Sequence, residues 1–193
     1  MELSEDELTG LLATDLRGYF DRLVLNYAPG LYAFALRWIG NPTDAEDIVQ
    51  GAFERAFITL SNYPVLHIRS MNLRPWLYKV TLNVARNYVS RYKLQAVSLD
   101  LVEDEELLGH DEDWQYQPEL VVESSERRRE LEALVATLAP SYRNAISLCF
   151  FGDLSYQETA NVLNVSIGTV KFYVHRGIAL LRKRQASQMN EVQ

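Results

Sequence analysis

The stretch that decides the fold runs from Leu154 to Lys171 and reads LSYQETANVLNVSIGTVK. Ser155, followed three residues later by Glu158, forms a capping box that opens a short helix. Asn164 can adopt the left-handed conformation that a tight turn requires, and Ser166 can cap a second helix. The core between the two helices is expected to come from Ala160, Leu163, Val165 and Val170. The pattern predicts a helix-turn-helix.

The second of these helices is basic, which favours contact with DNA. No acidic residue occurs between Glu158 and Glu191, and Arg182, Lys183 and Arg184 suit phosphate contact. The N-terminal half of a recognition helix meets base edges. The candidate base-reading residues are Thr169, Lys171, Phe172, His175 and Arg176. A helical hairpin with a solvated basic face is the alternative, but cap, spacing and charge together favour DNA.

The charge of the chain is unevenly distributed. The 193 residues carry a net charge of −7. Residues 1–93 hold 10 basic and 10 acidic side chains, residues 94–126 hold 11 acidic ones and no Lys or Arg, and residues 127–193 hold 9 basic and 5 acidic ones. Because a phosphate backbone meets local charge, the acidic total does not exclude a DNA-binding C-terminal part.

Helical periodicity also fills the N-terminal part. An apolar stripe predicts a first helix ending near Tyr27, and Pro29 is expected to open a second. Thr43 with Glu46 predicts a capping box for a third helix. A loop is expected over residues 62–73, followed by a fourth helix from Arg74 to about Lys93.

The fold class is therefore all-α: two small helical bundles joined by an acidic flexible linker, the second containing the helix-turn-helix. The expected boundaries are an N-terminal extension over 1–14, a first domain over 15–93, the linker over 94–123 and a second domain over 124–193. Helices in the second domain are predicted over 126–138, 140–151, 155–163 and 167–185.

Neither catalysis nor a cofactor is expected. The three histidines are scattered, without partners at metal-ligand spacing, and no phosphate-cradling glycine loop or nucleophile elbow occurs. The single cysteine, Cys149, lies in an apolar run that favours a buried core thiol. The acidic N-terminus does not resemble a signal peptide, and no apolar run could span a bilayer. We therefore predict a cytoplasmic protein without membrane insertion.

Three stretches together resemble a known family. They are Asn41 to Phe57, Trp76 to Tyr88, and Leu154 to Arg184. From about Asp15 to Arg184 the chain resembles bacterial sigma factors of the extracytoplasmic-function type, the compact two-domain branch of the sigma-70 family. The acidic linker is the least alike.

The resemblance implies partners and site residues. Core RNA polymerase would be bound through its β′ clamp helices and β flap, and an anti-sigma factor would be a further partner. The polar positions on the third helix, implied to grip polymerase, are Asp44, Asp47, Gln50 and Glu54. Without the resemblance, a solvated helix face would be the simpler interpretation of these residues.

On the fourth helix, polar side chains at helical spacing are implied to take the melted minus-ten element, together with the preceding loop. These side chains are Lys79, Asn83, Arg86, Asn87 and Arg91. Single-stranded DNA is held by positive grooves and by pockets for unstacked bases. Trp76, by contrast, is expected to pack in the core.

The minus-thirty-five element is implied to meet Lys171 and Arg176. Many relatives have Ser then Arg after the Lys171 position, where this chain has Phe172 and Tyr173, so the promoter sequence cannot be carried over. Asn87 stands at the usual Asp position. The linker could mimic nucleic-acid phosphates inside the polymerase cleft or could be a soluble spacer, and the sequence leaves both open.

Two other classes of protein compete with this interpretation. A response-regulator-type transcription factor would share the Thr-Val-Lys pattern of the helix-turn-helix but would carry an α/β receiver or sensory domain. A pure interaction protein would sequester a partner with its bundles. It would need neither an acid-free terminal helix nor the polar array from Lys79 to Arg91.

Overall fold

The computed structural model describes residues 4–95 and 125–191, with side-chain surroundings for residues 4–91 and 130–184. These residues form helices and no strand, which confirms the all-α prediction. They divide into two compact units, the first ending at Arg91 and the second beginning at Tyr92. The predicted acidic linker lies almost wholly outside the described residues.

In the described residues the first unit contains three long helices and two short ones. Their bounds are α1 Glu5–Thr14, α2 Leu16–Ile39, α3 Pro42–Ser61, α4 Val65–Arg69 and α5 Leu73–Gln95. The largest buried side chains of this unit include Leu23, Leu31, Phe34, Ile48 and Leu77. The periodic apolar positions of α2 and α3 therefore face a shared core.

The prediction that Pro29 opens a second helix is wrong. Helix α2 runs unbroken through Pro29 and ends at Ile39, where Gly40 takes a φ of 78°. A proline inside a helix removes one hydrogen bond and costs about 3 kcal/mol. The apolar stripe continues across it with Tyr27, Leu31 and Phe34 all buried, and this burial outweighs the lost hydrogen bond.

The predicted capping box of Thr43 and Glu46 is also wrong, because the N-cap of α3 lies two residues earlier. Asn41 is the N-cap, and its Oδ1 accepts the N–H of Thr43 at 2.9 Å and of Asp44 at 3.2 Å. Pro42 fills the first helical position, where no N–H is needed. Helix α3 buries one apolar face, and the half-buried Phe57 lies at the edge of that face.

Two helices of the first unit were not anticipated. Helix α1 occupies the stretch expected to be an extension, and its Leu8 and Leu12 are each only 1% exposed. Helix α4 lies within the predicted loop and buries Ile68. Helix α1 packs against α2 and α4, so both unanticipated helices belong to one packed region.

The second unit follows the prediction closely. Its helices are α6 Ser125–Ala136, α7 Pro140–Ile146, α8 Tyr156–Leu163 and α9 Ile167–Glu191. The predicted helix over 140–151 ends in a π-helical turn, Ser147–Phe151, closed by the Gly152 N–H donating to the Ser147 carbonyl at 2.9 Å. Asp153 follows with a φ of 55° and reverses the chain toward α8.

In the residues that the structure describes, no helix has the length and apolar character needed to cross a membrane.

Candidate nucleic-acid and polymerase interfaces

The turn of the helix-turn-helix has the local structure that the sequence predicts. The Glu158 N–H donates to Ser155 Oγ at 3.3 Å and the Ser155 N–H donates to Glu158 Oε2 at 2.8 Å, which completes the capping box. Asn164 closes α8 with a φ of 61°. Short-range hydrogen bonds therefore fix both ends of α8 before α9 begins.

The N-terminus of α9 is capped by Ser166. Its Oγ accepts the Thr169 N–H at 3.0 Å and lies 2.8 Å from the Thr169 hydroxyl. Thr169, predicted to contact bases, is thus half-buried and engaged in the cap. The Thr169 hydroxyl can contact a base edge only if it keeps Ser166 as a second hydrogen-bond partner or breaks its hydrogen bond with Ser166.

The predicted base-reading residues differ in exposure. Lys171 and Arg176 are exposed, whereas Phe172 and His175 are half-buried. Val170 and Val174 are fully buried on the opposite side of α9. Because helical neighbours three and four apart share a face, the buried valines orient the two basic side chains toward solvent.

Tyr173 belongs to the packing of this unit. Its ring meets the ring of Tyr142 on α7 edge-on, with centroids 5.7 Å apart. The Phe172 ring lies 6.0 Å from the Tyr173 ring. Of the two residues that depart from the family's pattern, Tyr173 therefore braces α9 against α7, and Phe172 lies one turn before Arg176 on the same side of the helix.

Helices α7 and α9 approach closely at Gly177. A Cβ placed on Gly177 would lie 2.6 Å from Ile146 Cδ1 and 3.3 Å from Tyr142 Cβ. Both distances are shorter than ordinary carbon contacts. The absence of a side chain at Gly177 thus sets how deeply the recognition helix is seated.

One of the basic residues near the C-terminal end of α9 makes a hydrogen bond within the second unit. Arg182, Lys183 and Arg184 are exposed, as phosphate contact requires. Arg184, however, donates to the Thr137 hydroxyl in the turn after α6. The guanidinium therefore ties the distal part of α9 to that turn.

Helix α5 carries a continuous exposed polar face in the first unit. All five predicted minus-ten residues are exposed, while Tyr78, Leu82 and Ala85 are buried on its other side. These five residues are Lys79, Asn83, Arg86, Asn87 and Arg91. Trp76, predicted to be core, is half-buried near the start of the helix.

The predicted polymerase-binding residues on α3 fall into two groups. Asp47, Gln50 and Glu54 are exposed, and Gln50 Nε2 donates to Glu54 Oε1 at 3.2 Å. Asp44 is half-buried, and its Oδ1 accepts the Tyr88 hydroxyl of α5 at 2.7 Å. This bond joins the start of α3 to the polar helix α5, and sequence reasoning missed it because the two residues are 44 positions apart.

An apolar groove of about 890 Å³ lies between α2 and α3. Its floor includes Phe20, Phe53 and Phe57, and the Phe20 and Phe57 rings meet edge-on at 5.0 Å. Gln50 and Glu54 stand at its margin, so the groove adjoins the exposed polar face of α3. Ile58, which is 63% exposed, also lines the groove.

Among the described residues, no group of three or more His, Cys, Asp or Glu could hold a metal ion. The thiol of Cys149 lies 3.3 Å from the Thr159 hydroxyl. Burial raises the pKa of Cys149 to about 11, so the thiol stays protonated near neutral pH. Cys149 is half-buried, so the structure supports a packed thiol but not the fully buried one that the sequence favoured.

Comparison with known proteins places these features in a family. The Sigma-70 region 2 family matches residues 23–94, and the Sigma-70, region 4 family matches residues 128–181. The ECF RNA polymerase sigma factor SigE of Mycolicibacterium smegmatis is 32% identical, over 96% of this chain and 71% of that protein. The chain belongs to the ECF branch of the sigma-70 family.

A second ECF sigma factor and two solved structures are also similar to this chain. SigW of Bacillus subtilis is 30% identical, over 86% of this chain and 88% of its own. The fold matches CnrH in its complex with the cytosolic domain of CnrY, with a TM-score of 0.63, 21% identity and coverage of 95% and 97% of the two chains. It also matches the sigma factor RpoE of Bartonella quintana, bound to the anti-sigma factor NepR, with a TM-score of 0.62, 21% identity and coverage of 85% and 94%.

As an ECF sigma factor, the chain belongs to the DNA-binding proteins that recognise promoters and start transcription. The region 2 match lies in the first structural unit apart from its last three residues, and the region 4 match lies within the second. Helix α1 lies before the first of them.

Proposed function

We propose that this sigma factor binds core RNA polymerase, takes the melted minus-ten element on its first unit and reads the minus-thirty-five element with the helix-turn-helix of its second. The observation that carries the proposal is that each unit presents its own exposed polar helix face, on α5 and on α9, backed by a packed core. Two such faces in one chain suit two separated promoter elements.

The minus-thirty-five role is assigned to α9. Lys171 and Arg176 are exposed, and no acidic side chain lies on this helix before Glu191. An arginine can contact guanine with two hydrogen bonds in the major groove. Phe172 beside them offers an apolar contact such as a thymine methyl needs, whereas Thr169 acts mainly through the cap and His175 stays half-buried.

The minus-ten role is assigned to α5 and to the α3–α5 loop, residues 62–72. Lys79, Arg86 and Arg91 supply positive charge along the face that also carries Asn83 and Asn87. Val65 and Leu66 of the loop are 51% and 80% exposed, and apolar side chains can pack against a base that has been flipped out of the stack.

Core polymerase is assigned to α3, by way of its β′ clamp helices. Asp47, Gln50 and Glu54 form an acidic exposed face next to the apolar groove, which suits a partner with basic and apolar side chains. Asp44 plays a different part, since its carboxylate is already bonded to Tyr88. The β flap is proposed to contact the second unit.

The remaining assignments rest on sequence and on relatives. The acidic segment over 94–123 connects the two promoter-reading units, either as a phosphate mimic or as a spacer. An anti-sigma factor is proposed as a partner because a sigma factor of this fold has been solved with one. The place of action is the cytoplasm, where core polymerase and promoter DNA are found.

The response-regulator alternative is disfavoured by the fold. Residues 4–95 and 125–191 contain no strand, whereas a receiver domain is α/β. The deciding experiment mixes the full chain with core polymerase and measures run-off transcription from a promoter library. Promoter-dependent initiation supports the proposal, and a chain that neither binds core nor directs initiation refutes it.

Two variants test the separate elements. Arg176→Ala should lower discrimination at one minus-thirty-five base pair by about 1–3 kcal/mol if the contact is bidentate. Arg182→Ala is its matched control, since loss of a phosphate contact weakens all sequences alike. An equal loss on every sequence for Arg176→Ala would reassign that residue to the backbone.

Asn83→Ala should impair use of the minus-ten element and leave core binding intact. Asn26→Ala is the control, because Asn26 is likewise an exposed asparagine within a helix, but on α2. Loss of core binding in Asn83→Ala would show that Asn83 supports the fold and does not contact DNA.

A further inference from the structure

The N-terminal helix α1 is packed into the first unit although it precedes the matched sigma region. Leu8 and Leu12 are 1% exposed and Thr9 is 2% exposed. A capping box of Ser4 and Glu7 starts the helix. Its partners are α2 and α4, the short helix in the α3–α5 loop.

Helix α4 depends on that packing. It has five residues, and its N-cap is Pro64, which makes no side-chain capping bond. A helix this short does not persist in water without tertiary support. Ile68 is its buried residue, at 4% exposure, and faces inward while Val65 and Leu66 stand outward.

Glu5 anchors the other end of the same loop. Its Oε1 accepts the backbone N–H of Arg74 at 3.0 Å, across 69 residues of sequence. Arg74 is the second residue of α5, so this N–H is one of the donors that a helix start leaves without a partner inside the helix. A carboxylate there also suits the positive end of the helix dipole.

The junction around Glu5 is partly shielded from water, since Glu5 and Arg74 are each half-buried. Tyr27 of α2 is 7% exposed, and burial, followed by the charge of Glu5, raises the pKa of Tyr27 to about 12. A hydrogen bond in such surroundings is electrostatically stronger than one in bulk water. Helix α1 thus holds the α3–α5 loop at two points, behind α4 and at the start of α5.

We infer that α1 is a positioning element for promoter reading: it fixes the backbone of the α3–α5 loop so that Val65 and Leu66 are presented outward, and Glu5 is its positioning residue. This inference rests on the proposed function of the loop. It assigns a role to a segment that lies outside both family matches.

The test compares Glu5→Ala, Glu5→Gln and Asp6→Ala in the full chain. Asp6 is the matched control, since it is the adjacent carboxylate and is exposed. The first measurement is NMR-detected hydrogen exchange at the Arg74 and Ile68 amides. Loss of a helix cap of this kind is expected to speed exchange about fivefold in Glu5→Ala. Glu5→Gln keeps an acceptor and should restore most of the protection.

The second measurement uses the same variants with core polymerase on promoters carrying single-base changes in the minus-ten element. Glu5→Ala should reduce the ratio of preferred to disfavoured promoter use by about fivefold, in line with the loss of loop order. Core affinity should stay unchanged. Asp6→Ala should alter neither quantity, and Glu5→Gln should recover the ratio.

Unchanged exchange and unchanged selectivity in Glu5→Ala would overturn the inference. So would an equal loss of core affinity and of activity on every promoter, because that pattern means general destabilisation. If the wild-type chain itself supports no promoter-dependent initiation, the proposed function fails. The exchange data then still decide whether α1 orders the loop.

Discussion

Gly177→Ala is the most direct test of how the recognition helix is seated. The added methyl would lie 2.6 Å from Ile146 Cδ1, where carbon atoms normally approach to about 3.5–4.0 Å. Ile146 is fully buried, so its side chain has little room to move. The methyl must therefore push α9 away from α7 or force Ile146 out of its rotamer.

Two opposing terms set the expected size of the effect. Replacing glycine by alanine within a helix gains about 1 kcal/mol. Overpacking a core costs about 1–3 kcal/mol. We expect a net destabilisation of about 1 kcal/mol from the difference of these two terms.

A second substitution makes the argument specific to this contact. Ile146→Val removes Cδ1 and on its own should cost about 0.5–1.5 kcal/mol. In the double variant the new methyl enters the vacated space. The pair should therefore be more stable than the sum of the single changes by about 1 kcal/mol or more.

The assay is a urea titration followed through the amide signals of Val174 and Ile178, which report on the second unit alone. Gly10→Ala is the control, because Gly10 also lies within a helix and has open space around its Cβ position. Gly10→Ala should raise the free energy of unfolding, as measured through the amide signals of α1. If Gly177→Ala stabilises as Gly10→Ala does, or if the double variant shows no recovery, the close approach does not constrain α9.

Three further predictions concern single bonds and backbone positions. Asn164→Ala should destabilise the second unit by about 1–2 kcal/mol because its φ of 61° is left-handed, while Asn164→Gly should be tolerated; equal unfolding midpoints for the two would contradict this. Tyr88→Phe should cost about 1 kcal/mol through the lost bond to Asp44, and Asp44→Asn should add little in the Tyr88→Phe background, as a double-mutant cycle would test. Burial raises the pKa of Cys149 to about 11, so alkylation at pH 8 should be slow in the native chain and fast in urea; rapid native alkylation would refute the assigned burial.

Local signals in the sequence were enough to predict the helix-turn-helix of the second unit. Ser155 with Glu158, Asn164 and Ser166 act through bonds between residues two to four apart, and such bonds form wherever the chain is helical. The exposure of Lys171 and Arg176 followed from the same periodicity. This part of the candidate site could therefore be predicted without tertiary information.

The features that were not predicted depend on contacts between residues far apart in the sequence. Pro29 is a strong local signal for a helix start, yet packing of the stripe on both sides of it keeps α2 continuous. Helix α1 did carry a local signal, the capping box of Ser4 and Glu7, which sequence reasoning missed. The five-residue α4 has no capping bond and depends on its packing against α1. The bonds from Glu5 to Arg74 and from Tyr88 to Asp44 link residues 69 and 44 positions apart, which periodicity does not detect.

The bond between Tyr88 and Asp44 also bears on the engineering of hybrid sigma factors. Exchanging α5 alone to transplant promoter preference would bring in a helix selected against a different α3 and would leave the Asp44 carboxylate facing whatever residue replaces Tyr88. A half-buried carboxylate that loses its donor is costly. Chimeras that move the start of α3 together with α5 should therefore be recovered as soluble, active protein more often than those cut between the two helices.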